Sequence, residues 1–199
     1  MKRAFLFSFV LFLFINLVNA TQIQSNTASD EVKLNVYGTG PILVRMYSDY
    51  FCPPCRSIEK EVETIIEELV KKGIIRVCFI DAPIHKLTPF YVRYFLYAVK
   101  DNNDLRYALF VRKALFEAAG NRIEQKEDLE AFLTSRGISF VVFNVKPYLE
   151  KMNLILQEDK INATPTCVVI DGKRSEKVSG KEEIINLLKR LKEGKGNFK

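Results

Sequence analysis

Two cysteines separated by two prolines, Cys52-Pro53-Pro54-Cys55, constrain this chain more than any other stretch of it. Ahead of them, Ile42, Leu43, Val44, Met46 and Tyr47 make an apolar, partly β-branched run that predicts a strand over 41–48. Behind them, Ile58, Val62, Ile65, Ile66 and Leu69 recur at spacings of three and four, with Glu and Lys between. That pattern predicts an amphipathic helix over 53–72, stopped by Gly73. The pair therefore falls at a strand-to-helix junction, with Cys52 at the helix N-terminus. The unpaired N–H groups and the positive end of the helix dipole favour a thiolate there. Pro53 and Pro54 fit the first turn because its N–H groups have no partner inside the helix. A helix that opens on C-x-x-C can let its two sulfurs bond and separate reversibly, which is a redox arrangement.

Half a zinc site or a structural disulfide would also read as C-x-x-C. No second C-x-x-C follows, and His85 is the only histidine, so a zinc site lacks ligands. All four cysteines, Cys52, Cys55, Cys78 and Cys167, lie beyond residue 20. A chain of this length buries a core without disulfide staples, so the count reads as one reactive pair plus two others.

Residues 1–20 read as a secretory signal: Lys2-Arg3, an apolar run of about 15 residues from Ala4 to Val18, then Asn19-Ala20. The run is short of the about 20 residues a membrane span needs, and an uncleaved anchor is the alternative. Export would carry the cysteines into an oxidising compartment. Loss of this segment removes two basic residues and no acids, lowering the net charge from +6 to +4. That excess, partly in the Lys-rich end 189–199, reads as solvated surface and not as a nucleic-acid footprint.

Residues 21–30 read as a flexible lead-in. Residues 32–37 alternate like a strand, and Gly38-Thr39-Gly40-Pro41 turns the chain into the next one. With a strand over 74–80 these make a right-handed β-α-β unit. Helices are predicted over 88–100, 104–119, 126–136 and 145–157, their apolar stripes serving as packing surface. Asn162-Ala163-Thr164-Pro165 leads into a strand over 166–170. Asp171-Gly172 then forms a hairpin turn, 177–179 a return strand and 181–192 a last helix. The whole reads as one α/β domain over 31–192 with a helical insertion at about 83–160 and a flexible tail over 193–199.

This layout resembles the thioredoxin fold with an inserted helical subdomain of the DsbA-like thiol–disulfide oxidoreductases of the bacterial cell envelope. The resemblance is carried by residues 47–55, by Ala82-Pro83-Ile84-His85, by Ala163-Thr164-Pro165-Thr166 and by Asp171-Gly172-Lys173. Thr164-Pro165 is also similar to the DsbC-type isomerases, whose N-terminal dimerisation domain residues 21–30 are too few to supply. By position, the resemblance implies that Cys52 is the attacking thiolate and Cys55 the buried resolving thiol. It makes Pro165 a cis-proline facing both sulfurs, with Thr164 presenting backbone groups to an extended substrate peptide. Pro53, Pro54 and Arg56 become the residues that tune the redox pair. The implied activity is thiol–disulfide exchange with other exported, cysteine-containing proteins in the periplasm or cell envelope. It implies no organic cofactor or metal, no nucleic acid, and a membrane partner that resets the pair, either a quinone-linked oxidase or a membrane reductant. The rival reading is a copper metallochaperone on the same scaffold, with Cys52 and Cys55 as soft ligands and His85 or Met46 available to add to them.

The sequence departs from these relatives in three places. Met46 stands six residues before Cys52, where a buried acid is expected, and Asp49 falls on the other face by strand alternation. Pro-Pro between the cysteines removes two N–H donors and leaves no histidine beside the anion. The one histidine, His85, reads as a loop-packing residue. Cys78 and Cys167 fall on strands flanking the one that leads to Cys52, about 9.6 Å apart by strand spacing and beyond the ~7 Å reach of a disulfide. Both read as buried free thiols.

Overall fold

The computed structural model describes residues 32–194; the predicted signal, the lead-in over 21–30 and the last five residues of the tail lie outside them. The order of elements is β1 (Ile42–Ser48), α1 (Pro53–Lys71), β2 (Ile75–Asp81), α2 (Thr88–Val99), α3 (Leu105–Gly120), α4 (Lys126–Ser135), α5 (Lys146–Glu158), β3 (Thr166–Asp171), β4 (Arg174–Ser179) and α6 (Lys181–Lys192). The strands form one sheet in the order β2-β1-β3-β4, with β1 parallel to β2 and the other pairs antiparallel. The described residues thus have the mixed α/β architecture of a thioredoxin fold, with α2 to α5 inserted between β2 and β3. Among the described residues no helix is long and apolar enough to cross a membrane.

Helix α1 buries Cys55, Ile58, Val62, Ile65, Ile66 and Leu69 along one face, as their spacing predicts. Each such side chain removed from water is worth about 1.5–3 kcal/mol. Helix α6 packs beside it through Ile184, Ile185, Leu187, Leu188 and Leu191. Register divides the side chains of β1 between the two faces of the sheet. Met46 faces α1 together with its partners Phe79 and Cys167. Arg45 and Tyr47 take the other face, where both bind the Asp159 carboxylate at the end of α5; Arg45 Nη1 donates to it at 2.9 and 3.0 Å. The insertion is thereby tied to the central strand at the point where the chain returns to the sheet.

The strand predicted over 32–37 does not form. It is reduced to a single antiparallel bridge in which Tyr37 and Val77 exchange both backbone hydrogen bonds, each 2.8 Å. Asn35 instead turns its amide toward the end of α2, donating to the Val99 carbonyl at 3.3 Å. Beyond the bridge the chain crosses the start of β2 so closely that a Cβ on Gly40 would stand 2.3 Å from the Ile75 nitrogen.

Cys78 and Cys167 are buried free thiols on the strands flanking β1. Cys78 pairs with Arg45 and Cys167 with Met46, so the two sulfurs point to opposite faces of the sheet. Burial pushes both thiols up to about 12.

Candidate active site

Strand β1 ends at Ser48 and α1 begins at Pro53, and the four residues between them build the site. Cys52 is the N-cap of α1: its backbone is extended (φ −79°, ψ 113°) and its Sγ accepts the Cys55 N–H at 3.4 Å. The two prolines occupy the first helical positions, where they displace no intrahelical bond. Cys52 is half-buried, whereas Cys55, one turn along, is 1 % exposed. That difference decides which sulfur a macromolecule can meet. The Cys52 thiol also donates to the Thr164 carbonyl at 3.5 Å. The Thr164–Pro165 peptide bond is cis, which brings Thr164 beside the pair just before β3 begins. Burial, reinforced by the contact with Cys52, pushes the Cys55 thiol up to about 12, against the weaker opposing pull of the Thr164 hydroxyl. Arg56 extends its guanidinium against Gly120 at the end of α3.

A recess of about 420 Å³ opens beside Cys52 between Phe51, Ile84 and His85 on one wall and Ala163 and Thr164 on the other. Ile84 is 62 % exposed at its lip. His85 stacks on Phe51 with ring centroids 4.3 Å apart, and its Nδ1 accepts the Leu87 N–H at 3.2 Å. It is part of the wall, as its reading as a loop-packing residue anticipates.

Asp49 holds that wall in place. Its carboxylate accepts from the N–H groups of Phe51 (2.7 Å), Ile84 (3.0 Å) and His85 (2.9 Å) and from the Thr88 hydroxyl (2.7 Å). Strand alternation alone does not give Asp49 this role. The i to i+2 bond to Phe51 is an Asx turn, the local signal that marks it. A second group that the sequence does not announce is a buried polar cluster behind Cys55. Arg112 of α3, 1 % exposed, donates from Nε to Glu59 Oε1 (2.9 Å) and from Nη2 to Ser48 Oγ (3.1 Å). The Ser48 and Tyr50 hydroxyls donate to Asp81, each at 3.2 Å. Among the described residues no group of three or more His, Cys, Asp or Glu side chains is placed to hold a metal ion.

The fold and the C-x-x-C cap facing Thr164-Pro165 meet in a family match: the thioredoxin model fits residues 39–190. The chain belongs to the thioredoxin family. No curated protein sequence matches it significantly. Among solved structures, this thioredoxin-family chain is similar to Wolbachia pipientis alpha-DsbA1, at 18 % identity and TM-score 0.61, covering 81 % of this chain and 92 % of that one. It is also similar to the thiol-disulfide exchange protein alpha-DsbA2 of the same organism, at 19 % identity and TM-score 0.59, covering 82 % and 88 %. Oxidised BdbD of Bacillus subtilis matches at 21 % identity and TM-score 0.56, covering 81 % and 94 %. These likenesses give the thioredoxin-family chain a DsbA-like fold, helical insertion included.

Proposed function

We propose that the protein is an exported thiol–disulfide oxidoreductase that exchanges disulfides with the cysteines of other exported proteins through Cys52 and Cys55. The observation that carries this reading is the pairing of a half-exposed capping sulfur with a buried one a single helical turn away, both beside the cis Thr164–Pro165 bond. In the oxidising direction, a substrate thiolate attacks Cys52 Sγ of the enzyme disulfide and Cys55 departs as a thiolate. A second substrate thiolate then attacks the substrate sulfur of the mixed disulfide, and Cys52 departs with the electron pair. The substrate loses two electrons and the enzyme pair gains them. A membrane partner, a quinone-linked oxidase or a membrane reductant, resets the pair.

The recess beside Cys52 suits a short extended segment of substrate, with its side chains against Phe51, Ile84 and His85. Arg56, Pro53 and Pro54 tune the pair from its rim, and Thr164 and Pro165 orient the incoming chain. Refolding of reduced ribonuclease or reduction of insulin tests the proposal. Both activities are expected to vanish in Cys52→Ser. Cys55→Ser is expected to accumulate a mixed disulfide at Cys52 that releases its partner on adding dithiothreitol. A native chain inactive in both assays overturns the reading.

A further inference from the structure

Helix α2 carries no acidic residue, and its outer face alternates cations with rings. Lys86 stands in the turn that opens the helix, Arg93 at its middle and Lys100 at its C-cap, all exposed. Their sevenfold spacing returns each to one side of the helix and spreads the three over about 20 Å. Between them Phe90 and Tyr97 are half-buried. Phe90 packs edge-on against Tyr91 and Tyr94, and Tyr97 against Tyr94 and Phe143. Among the described residues no carboxylate pairs with these cations; Lys100 Nζ lies over the Phe143 ring, 5.2 Å from its centroid. Glu130 of α4, which does reach α2, is engaged by the Tyr94 hydroxyl (2.7 Å) and by Lys126 (3.9 Å). Exposed apolar side chains close both ends of the stripe. Ile84 precedes Lys86 at the lip of the recess beside Cys52. At the far end the Val141 N–H donates to the Tyr97 carbonyl at 3.1 Å, which sets exposed Val141 and Val142 alongside the end of α2.

Unpaired cations interleaved with rings that sit half in water match the headgroup layer of a bilayer. Aromatic side chains settle at that level, and each Lys or Arg gains from anionic lipid. We propose that the face of α2 from Ile84 to Val142 rests on an anionic bilayer surface, its cations among the headgroups and its rings and valines at their inner edge. The start of the chain favours lipid over an acidic protein as the occupant. Asn35 donates to the Val99 carbonyl at 3.3 Å, which brings the first described residues, exposed Lys33 among them, toward the Lys100 end of the stripe. Residues 19–31 separate these from the apolar run of Ala4 to Val18, a segment whose pattern is itself addressed to a membrane. The membrane contact follows from this surface; the use made of it rests on the oxidoreductase reading. With Ile84 against the headgroups, the recess beside Cys52 opens at the membrane, where the partner that resets the pair is embedded.

The chain has no tryptophan, so one introduced on this face is a sole reporter. The test mixes the full chain carrying Val142→Trp with vesicles of phosphatidylcholine, alone or in equal parts with phosphatidylglycerol. With the anionic vesicles the emission is expected to shift to the blue and to be quenched by brominated acyl chains, both effects fading in high salt. The response to phosphatidylcholine alone is expected to be much smaller. Asn186→Trp reports from the exposed side of α6, which packs on α1 and β4, and is expected to respond to neither vesicle. Adding Arg93→Gln and Lys100→Gln to Val142→Trp removes two cations worth about fivefold each, so half-maximal shift is expected to need about 30-fold more lipid. A rise of less than about threefold overturns the proposal. So does an emission at Val142 that ignores anionic vesicles, that answers phosphatidylcholine as strongly, or that is matched at Asn186. An emission that ignores vesicles but shifts with polyglutamate also overturns it and makes the occupant an acidic protein. A native chain inactive in both insulin reduction and ribonuclease refolding, with the lipid response intact, overturns the oxidoreductase reading alone.

Discussion

Cys52 Sγ receives one backbone N–H from its own helix, that of Cys55 at 3.4 Å, because Pro53 and Pro54 have none to give. A disulfide pair is the stronger oxidant the better its thiolate is held. Each charge-assisted hydrogen bond removed is worth about 1.5–3 kcal/mol, and about 30 mV corresponds to 1.4 kcal/mol. The pair is therefore expected to be poised between about −120 mV and about −270 mV, the potentials of DsbA and thioredoxin. Restoring a donor in Pro54→His is expected to raise the potential by about 30–60 mV, read by equilibrating the pair with glutathione. An unchanged potential would show that the prolines do not set the poise. At this scale spacing alone puts Cys52 at the head of α1, where it caps the helix. The burial of Cys55 and the cis bond before Pro165 were legible only through the family resemblance. Arg112 was not legible. Next to Lys113 and on a helix that also carries Arg106, it reads as a solvated position, and only the packing of α3 against Phe79 reveals it as buried.

Among the elements, α5 depends most on a single anchor. Met152 is its one fully buried residue, and its C-terminal end is tied to β1 by Asp159, which Arg45 and Tyr47 both bind. Asp159 is 11 % exposed and Arg45 16 %, so neither is well served by water once the other is gone. Removing one partner of a buried pair costs about 3–5 kcal/mol, and this pair lies slightly nearer solvent. Asp159→Ala is expected to destabilise the chain by about 2–4 kcal/mol in urea unfolding. Glu158→Ala, at an exposed contact to the same arginine, is expected to cost about 0.5 kcal/mol or less. Equal effects from the two would remove the anchor argument. The helices themselves were readable to within two residues, because apolar spacing and breaks such as Asp101-Asn102-Asn103 mark their limits. The alternating run 32–37 misled, since alternation says nothing of whether a neighbouring edge is within reach along its whole length. Asn35 found the end of α2 instead.

Taken whole, two acids among the described residues, buried Asp81 and half-buried Glu63, are shifted toward their neutral forms. Burial raises Asp81 from its ordinary 3.8 to about 6, despite Arg112. Burial and the neighbouring Glu59 raise Glu63 from 4.5 to about 7, and its Oε1 has no hydrogen-bond partner. Both bind more protons folded than unfolded, so their contribution is complete below the unfolded values and is lost as pH rises through the folded ones. Unfolding free energy is therefore expected to fall between about pH 4 and pH 7, with Glu63 responsible for the upper part of that window. In Glu63→Gln, urea titrations at a series of pH values should show the decline between pH 5 and pH 7 flattened; an unaltered slope would assign it elsewhere. The placement of Cys78 and Cys167 has a different kind of consequence. A protein that trades in disulfides is always at risk of poisoning itself, since every oxidised partner it meets could cross-link its own spare thiols. Here the sheet itself lies between those thiols, one to each side, and each is sealed from solvent. The folded molecule is thus insulated from its own trade, and loses that immunity at the moment it unfolds.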